Sequence, residues 1–464
     1  MDFDLIIIGS GPGGYVAAIR ASQLGLKTAL IEMAEPGGVC LNWGCIPTKA
    51  LLKSAQVYEY IKHSSLYGIK TDEKVIPDLE AIVERSRQVA NNMSKGVTYL
   101  IKKNNITFIK GKAKICPGKK VEITNGIETT QTINANNIII ATGARAKQLS
   151  NIPIDGNKII SYRDALTLKK KPNSILIIGS GAIGCEFAYF YNSLGTKVTI
   201  IEFMPNIIPL EDEEISKHLA RSFKKAGIKI MLSSLVTNID KNNELCKVNV
   251  KTSSGEEVII ETELVLSAIG IKSNIENIGL EDVGIKTEND KIIVDKFYKT
   301  NIEGYYAIGD VIPGPALAHV ASHEGIICVE AIAGKDPEPL NYNNIPACIY
   351  TQPEIASVGL TEKAAIDKGY TIKIGKFPLT ASGKAHALGE TDGFIKIIFD
   401  AETNNCLGAH IIGNSATEII GGLVMSRKLN IKAQQIIKTI FPHPTISESL
   451  MEAAAIAYGE AINI

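Results

Sequence analysis

The sequence predicts an α/β chain built on two copies of one β-α-β unit, followed by a separate α+β domain. Three observations carry this. Residues 5–32 align with residues 175–202 at a constant offset of 170, and 12 of the 28 positions are identical. Each copy reads as an apolar strand, a glycine-rich turn, a small-residue helix and a second strand ending in an acid, the pattern of parallel strands joined by a crossover helix. The length, 464 residues, exceeds the ~250–300 residues at which a single core stops growing, so two or three domains are expected.

The elements follow in order. Ile7-Ile8-Gly9-Ser10-Gly11 is matched by Ile177-Ile178-Gly179-Ser180-Gly181, Gly14 by Gly184, Leu24-Gly25 by Leu194-Gly195, and Glu32 by Glu202. Lys169-Lys170-Lys171-Pro172, just before the second copy, reads as a solvated loop. Asp336-Pro337-Glu338-Pro339, continuing to Pro346, reads as a linker. Beyond it, residues 347–412 hold strand-like runs such as Phe394-Ile395-Lys396-Ile397-Ile398-Phe399, and the tail from Ser415 has a helical pattern. That change of character marks the third domain.

Composition narrows the function classes. With 49 basic against 49 acidic side chains and 45% hydrophobic residues, the chain is neither disordered nor charged for nucleic acid or an anionic membrane. The start, Met1-Asp2-Phe3-Asp4, is acidic, unlike a secretory leader. The uncharged stretch Leu5–Ile19 is broken by four glycines and a proline, too short and interrupted to span a bilayer. Eight cysteines in a chain of this length read as cytosolic thiols, so the expected location is cytoplasmic.

Gly9-Ser10-Gly11-Pro12-Gly13-Gly14 and Gly179-Ser180-Gly181-Ala182-Ile183-Gly184 are both G-x-G-x-x-G. The first glycine permits the tight turn, the second lets backbone approach a pyrophosphate, and the third lets helix and strand pack closely. The helix that follows turns unpaired N–H groups and a positive dipole end toward phosphate. Each motif follows an apolar strand, opens a helix and reaches an acid 18 residues after its last glycine, which makes two Rossmann-like dinucleotide sites the expected reading. Glu32 and Glu202 stand where a carboxylate accepts hydrogen bonds from an adenosine ribose; taken alone, either could equally be an exposed strand end. Phe203-Met204-Pro205-Asn206-Ile207-Ile208 contains no Arg or Lys to meet a 2′-phosphate, so the second site is expected to take NAD rather than NADP.

Cys40-Leu41-Asn42-Trp43-Gly44-Cys45 is a C-x4-C, and the residues from Pro47 onward have helical periodicity with Pro47 in the first turn. On a continuous helix, residues five apart have Cα atoms ~8–9 Å apart, whereas a disulfide needs ~4.4–6.8 Å. The pair can bridge only if the chain before Pro47 bends, which Gly44 permits. Cys45 would then sit at a helix N-terminus with Lys49 one turn on, both favouring a thiolate, so Cys45 reads as the electron-donating sulfur and Cys40 as the one open to attack. Two buried thiols, or half a zinc site, remain alternatives. No metal ligand set is assigned, because the cysteines at 116, 185, 246, 328, 348 and 406 are scattered singly.

Together these residues resemble the pyridine nucleotide–disulfide oxidoreductases over essentially the whole chain. The resemblance rests on the fingerprint at 9–14, Cys40…Cys45 with Pro47 and Lys49, Ala141-Thr142-Gly143 after Ile138-Ile139-Ile140, and the fingerprint at 179–184 followed by Glu186. It continues through Tyr306-Ala307-Ile308-Gly309-Asp310, Leu317-Ala318-His319 and His443-Pro444-Thr445-Ile446-Ser447-Glu448. Within the family it is most similar to members that oxidise dihydrolipoamide.

The resemblance implies FAD at the first fingerprint and NAD at the second. It implies an FAD-binding domain of residues 1–147 and 275–344, an NAD-binding domain of 148–274, and a C-terminal α+β dimerisation domain of 345–464. Gly9, Gly11, Gly14, Glu32, Lys49, Thr142, Gly143, Asp310 and Ala318 would border FAD. Gly179, Gly181, Gly184, Glu186, Glu202 and Gly270 would border NAD, with Glu186, in the first turn of its helix, paired with Lys49. Cys40 and Cys45 would form the redox disulfide, and His443, oriented by Glu448, would act as the base at the disulfide of the other subunit of a homodimer. His319, His386 and His410 are read as structural. Implied partners are dihydrolipoamide on lipoyl domains of an acyltransferase core or a glycine cleavage carrier protein. Two departures stand out. Gly270-Ile271-Lys272-Ser273-Asn274 replaces a Gly-Arg-x-Pro-Asn, and Phe441 stands where many relatives have His. The nearest rival is an NADPH-dependent disulfide reductase of the glutathione reductase kind; a purely structural role in a multienzyme complex is the reading from another class.

Overall fold

The computed structural model describes residues 1–71, 75–126 and 129–464. The chain divides into two compact units, residues 1–50, 80–147 and 270–340 in one, and 51–79, 148–269 and 341–464 in the other.

In the first unit the two strands of the first repeat, Phe3–Ile8 and Thr28–Glu32, pair in parallel, with the helix Pro12–Gln23 between them. The long strand Thr129–Ile140 flanks Phe3–Ile8 on the other side, and Tyr305–Ala307 pairs in parallel with it. Thr107–Lys110 closes the opposite edge. Within them Leu5–Ile8, Ala29–Ile31 and Ile138–Ile140 are continuous apolar stretches, as parallel strands covered on both faces require; Leu5, Ile6, Ile7, Ile138, Ile139 and Ile140 are fully buried. Helix Pro12–Gln23 packs on helix Ala318–Ile332 through small residues, since a Cβ on Gly325 would press on the Gly13 carbonyl and Ala17.

The second unit repeats the design. Ser174–Ile178, helix Ala182–Ser193 and Lys197–Ile201 form the second β-α-β, extended by Lys229–Met231, Leu264–Ser267 and Ile159–Ile160 into a parallel five-stranded sheet. A three-stranded antiparallel sheet, Leu235–Asp240, Cys246–Lys251 and Glu257–Thr262, follows. Beyond residue 345 the strands become antiparallel, in the order Ala347–Ile349, Ile355–Gly359, Cys406–Ile412, Phe394–Asp400, Ile372–Pro378. Helix Glu448–Tyr458 lies on the edge strand, so close that a Cβ on Gly375 would meet the Ala453 carbonyl. Lys169–Lys171 are exposed in a loop, as the sequence suggests. No helix among the described residues is long and apolar enough to cross a membrane.

Candidate functional site

Three neighbouring parallel strands of the first unit end side by side. Phe3–Ile8 runs into Gly9, Thr129–Ile140 into Ala141-Thr142-Gly143, and Tyr305–Ala307 into Gly309-Asp310. Carboxyl ends of strands are where open α/β sheets bind ligands. Gly9 holds φ +101°, and a Cβ on Gly14 would run into the Gly9 carbonyl. Around Gly11, by contrast, an added Cβ would meet nothing within 4 Å. The second copy repeats all three features at Gly179 (φ +99°), Gly184 and Gly181. The turns are therefore shut where helix meets strand and open where a pyrophosphate would approach.

The acids of both repeats are buried, Glu32 at 8% and Glu202 at 7% exposure. Each is already bonded within its own turn. Ser10 donates its N–H and hydroxyl to Glu32 Oε2, both at 2.8 Å, and Ser180 does the same to Glu202 Oε2 at 2.7 and 2.6 Å. Neither acid is an exposed strand end, and the serines are a feature that the motif reading passes over although they are identical in both copies.

Asp310 lies in a single turn, Gly309–Val311, where Glu324 accepts the Gly309 N–H at 2.6 Å. Burial pushes the Asp310 carboxyl up, opposed by the nearby Lys291. Ala318 is the first residue of helix Ala318–Ile332. Thr142 and Gly143 are tied to Asn274: Thr142 Oγ1 donates to its carbonyl at 2.6 Å, and the Asn274 N–H donates to Gly143 O at 2.8 Å. Gly270 lies in the first unit, where its carbonyl accepts the Lys147 N–H at 3.0 Å and the strand Ile271–Ser273 pairs with Ala144–Ala146. Glu186 lies one residue beyond the first turn expected of it. It is buried and accepts the Tyr350 N–H at 3.0 Å.

Cys40 and Cys45 are bridged, with Cα atoms 4.8 Å apart. Cys40 sits in a short helix of its own, Gly38–Trp43. Gly44 breaks it at φ −146°, ψ −114°, and Cys45 begins the helix Cys45–Lys62 with Pro47 in its first turn. That break is what brings the sulfurs together, and the same helix carries Lys49. Helix Leu79–Lys103 braces the segment from behind. Arg85 donates to Ala50 O at 2.9 Å, Ser86 Oγ to Pro47 O at 3.0 Å and Arg87 to Asn42 O at 2.5 Å, and the Arg87 guanidinium lies 4.3 Å from the Trp43 ring centre. None of these three residues stands out in the sequence; they lie about forty positions beyond the sulfurs and meet the dithiol segment only through the fold.

In the second unit His443 is 80% exposed and its Nδ1 lies 2.9 Å from Glu448 Oε1. Glu448 opens the helix Glu448–Tyr458, and its Oε2 accepts the Thr445 N–H at 2.8 Å. Burial alone would raise this carboxyl; the Thr445 N–H and His443 outweigh it and hold it below the usual carboxylate range. Of the remaining histidines, His410 is buried with Nε2 3.0 Å from Leu360 O, and His386 Nε2 lies 2.7 Å from Thr380 O.

A bridged C-x4-C at a helix start, in a chain that carries two copies of a dinucleotide turn, defines a flavoprotein-type disulfide oxidoreductase. Residues 3–325 match the pyridine nucleotide-disulphide oxidoreductase family and residues 345–454 match its dimerisation domain, which supports a homodimer. The chain belongs to that family, whose members use FAD and NAD. Among curated relatives it is 48% identical to a dihydrolipoyl dehydrogenase of Zymomonas mobilis over 99% of both chains, 46% to that of Rhizobium etli, also over 99% of both, and 43% to that of Bacillus subtilis over 100% of this chain and 99% of the relative. Among solved structures it resembles LpdA from Mycobacterium tuberculosis at 25% identity and TM-score 0.90, covering 97% of this chain and 98% of that one. It also resembles the HOCl-induced flavoprotein disulfide reductase RclA from Escherichia coli in its Cu(II) complex, at 26% identity and TM-score 0.89, covering 98% and 99%.

Proposed function

We propose that this chain oxidises dihydrolipoamide to lipoamide and reduces NAD⁺ to NADH, as a cytoplasmic homodimer. The substrate would be carried on lipoyl domains of an acyltransferase core or on a glycine cleavage carrier protein. The Cys40–Cys45 bridge at the start of the Lys49 helix carries this reading; full-length similarity to dihydrolipoyl dehydrogenases gives it its substrate.

The residues fit the two dinucleotides. Gly11 and Gly181 open on free space at the mouth of each turn, and a buried acid stands at the end of each second strand. Gly9, Gly14, Glu32, Lys49, Thr142, Gly143, Asp310 and Ala318 would hold FAD, within residues 1–147 and 275–344. Gly179, Gly184, Glu186, Glu202 and Gly270 would hold NAD, within 148–274, and residues 345–464 would form the subunit interface. Bound FAD supplies the hydride chemistry that links a dithiol to a nicotinamide.

The chain's own residues handle thiols and protons. His443 of one subunit takes a proton from a substrate thiol at the disulfide of the other. The resulting thiolate attacks Cys40 Sγ, the Cys40–Cys45 bond breaks, and Cys45 leaves as a thiolate. The second substrate thiol attacks the substrate sulfur of the mixed disulfide, and its proton passes to the departing Cys40 sulfur. Lipoamide leaves, oxidised by two electrons, and Cys40 is released as a thiol. The helix N-terminus and Lys49 favour the Cys45 thiolate. The test is a comparison on the purified flavoprotein. NADH formation from dihydrolipoamide should far exceed NADPH oxidation by glutathione disulfide; the reverse would assign the chain to the glutathione reductase kind.

A further inference from the structure

We infer that Ser180 is a positioning residue for pyridine nucleotide selectivity, holding Glu202 in the one orientation that rejects a 2′-phosphate. The inference deepens the NAD reading of the second site and rests on it.

Neither the tight turn nor the close packing of this fingerprint needs a serine at its second position; Gly179 and Gly184 supply both. Yet Ser180 is fully buried and its hydroxyl is spent on Glu202 Oε2 at 2.6 Å, beside its own N–H at 2.7 Å. The Met204 N–H takes Glu202 Oε1 at 2.8 Å. An ionised carboxylate offers about four lone-pair positions. Three are occupied, so one acceptor remains, on Oε1, which suits a single ribose hydroxyl. A fixed charge with one open acceptor cannot swing aside for a phosphate, and a 2′-phosphate there would meet like charge in a buried setting.

Ser180 also closes the loop that follows the acid. Its carbonyl accepts the Ile208 N–H at 2.9 Å, and Ser216 Oγ holds the Ile207 carbonyl at 2.8 Å. Ile208 is thereby kept at φ +41°, a conformation that a β-branched residue adopts only when its surroundings enforce it. The first repeat has the same clamp: Ser10 on Glu32, the Ala34 N–H on Glu32 Oε1 at 2.8 Å, and the Gly37 N–H on the Ser10 carbonyl at 3.0 Å. There the positive φ falls on a glycine, +96° at Gly37, at no such cost. The second copy keeps the loop geometry against the preference of its own residue, so the conformation at Ile208 is enforced by these backbone and Ser216 contacts.

The test uses FAD-loaded protein and two probes, ADP-ribose and 2′-phospho-ADP-ribose, with affinities measured by calorimetry. Wild type should prefer ADP-ribose. Ser180→Ala should cut that preference about three- to tenfold, the worth of one side-chain hydrogen bond, with melting temperature and flavin content retained. Ser180→Gly should act in the same direction, and Ser10→Ala should keep the wild-type ratio. A wild-type ratio in Ser180→Ala, alongside a lost preference in Glu202→Ala, would overturn the assignment of Ser180 alone. Unfolding of both Ser180 variants would mark the serine as structural and overturn it equally. Equal binding of the two probes by wild type would instead overturn the NAD reading, and this inference with it.

Discussion

His443 Nδ1 and Glu448 Oε1 lie 2.9 Å apart, and the second oxygen of the same carboxylate accepts the Thr445 N–H at 2.8 Å. The carboxylate is thus held through Oε2 by the backbone while Oε1 meets the ring, and it leaves Nε2 as the nitrogen that receives a proton. His443→Gln should lower dihydrolipoamide turnover by about 10²–10⁴-fold, the usual worth of a general base, and lower NADH-dependent dye reduction far less. Glu448→Gln keeps the size of the side chain but loses the charge, and its loss should be the smaller of the two. Because the Glu448 carboxyl is held below its usual range, its charge and the benefit of the pair persist as pH falls, until the pH passes through that lowered value. The defect of Glu448→Gln should therefore shrink only in distinctly acid solution. Equal loss of dye reduction and dithiol turnover in His443→Gln would remove the base role.

The break at Gly44 makes the two bridged sulfurs unequal. Cys45 begins the 18-residue helix Cys45–Lys62, whereas Cys40 is in the middle of the short turn Gly38–Trp43. In the FAD-loaded protein reduced by two electrons, Cys45→Ser should lack the long-wavelength thiolate–flavin absorption band of wild type, whereas Cys40→Ser should keep it. A band that persists in Cys45→Ser and vanishes in Cys40→Ser would reverse the assignment of attacked and electron-donating sulfur.

The repeat was legible because a dinucleotide turn constrains residue type at several fixed spacings at once, and those constraints appear twice. The dithiol was legible for a related reason: five-residue spacing is incompatible with one helix, so the bend at Gly44 follows from the requirement to bridge. What stayed hidden is what depends on distant chain. Arg85, Ser86 and Arg87 lie about forty residues beyond the sulfurs, and no local motif links them to the dithiol. Glu186 finds its partner in the Tyr350 backbone, 164 positions away. Lys396 interrupts an apolar strand and invites an outward-facing reading, yet it is 1% exposed. No pattern within Phe394–Phe399 announces the carboxylates that meet it.

That buried lysine carries a sharp stability prediction. Lys396 Nζ lies 3.0 Å from Asp212 Oδ1, 2.9 Å from Glu214 Oε2 and 2.5 Å from Glu362 Oε2. Burial would lower its pKa, but the three carboxylates outweigh that and raise it. Asp212 is itself 2% exposed and caps the helix Glu213–Lys225 by accepting the Glu214 N–H at 3.1 Å. Lys396→Met strands that carboxylate without its cation, which costs about 3–5 kcal/mol. Urea denaturation should show the midpoint falling accordingly. The double variant Lys396→Met/Asp212→Leu should recover part of the loss, since the one fully buried carboxylate is gone and Glu214 and Glu362 reach solvent. A single variant as stable as wild type would mean that the network contributes nothing.

Glu211 yields the opposite pH signature from an ordinary salt-bridged acid. Its Oε1 accepts Ser357 Oγ at 3.1 Å, while Oε2 is buried with no hydrogen-bond partner among the described residues. Burial pushes the carboxyl up to about 7; the Ser357 hydroxyl opposes this and the neighbouring Asp212 adds to it. In the unfolded chain the group titrates near its ordinary value of 4.5. Between about 4.5 and 7 the folded state therefore binds more protons than the unfolded one, and this residue's contribution to stability falls as pH rises through that window. Glu211→Gln retains an acceptor for Ser357 and abolishes the titration. The variant should match wild type at pH 4 and gain on it up to pH 7. Above pH 7 it should level off at a constant advantage whose ceiling, set by the displacement of the pKa, is about 3 kcal/mol. Nearby His410, lowered by burial, is common to both proteins and cancels in the difference. Paired thermal melts at pH 5 and pH 8 decide the matter: a stability difference that stays flat, or that favours wild type at the higher pH, shows that Glu211 is ionised at neutrality after all.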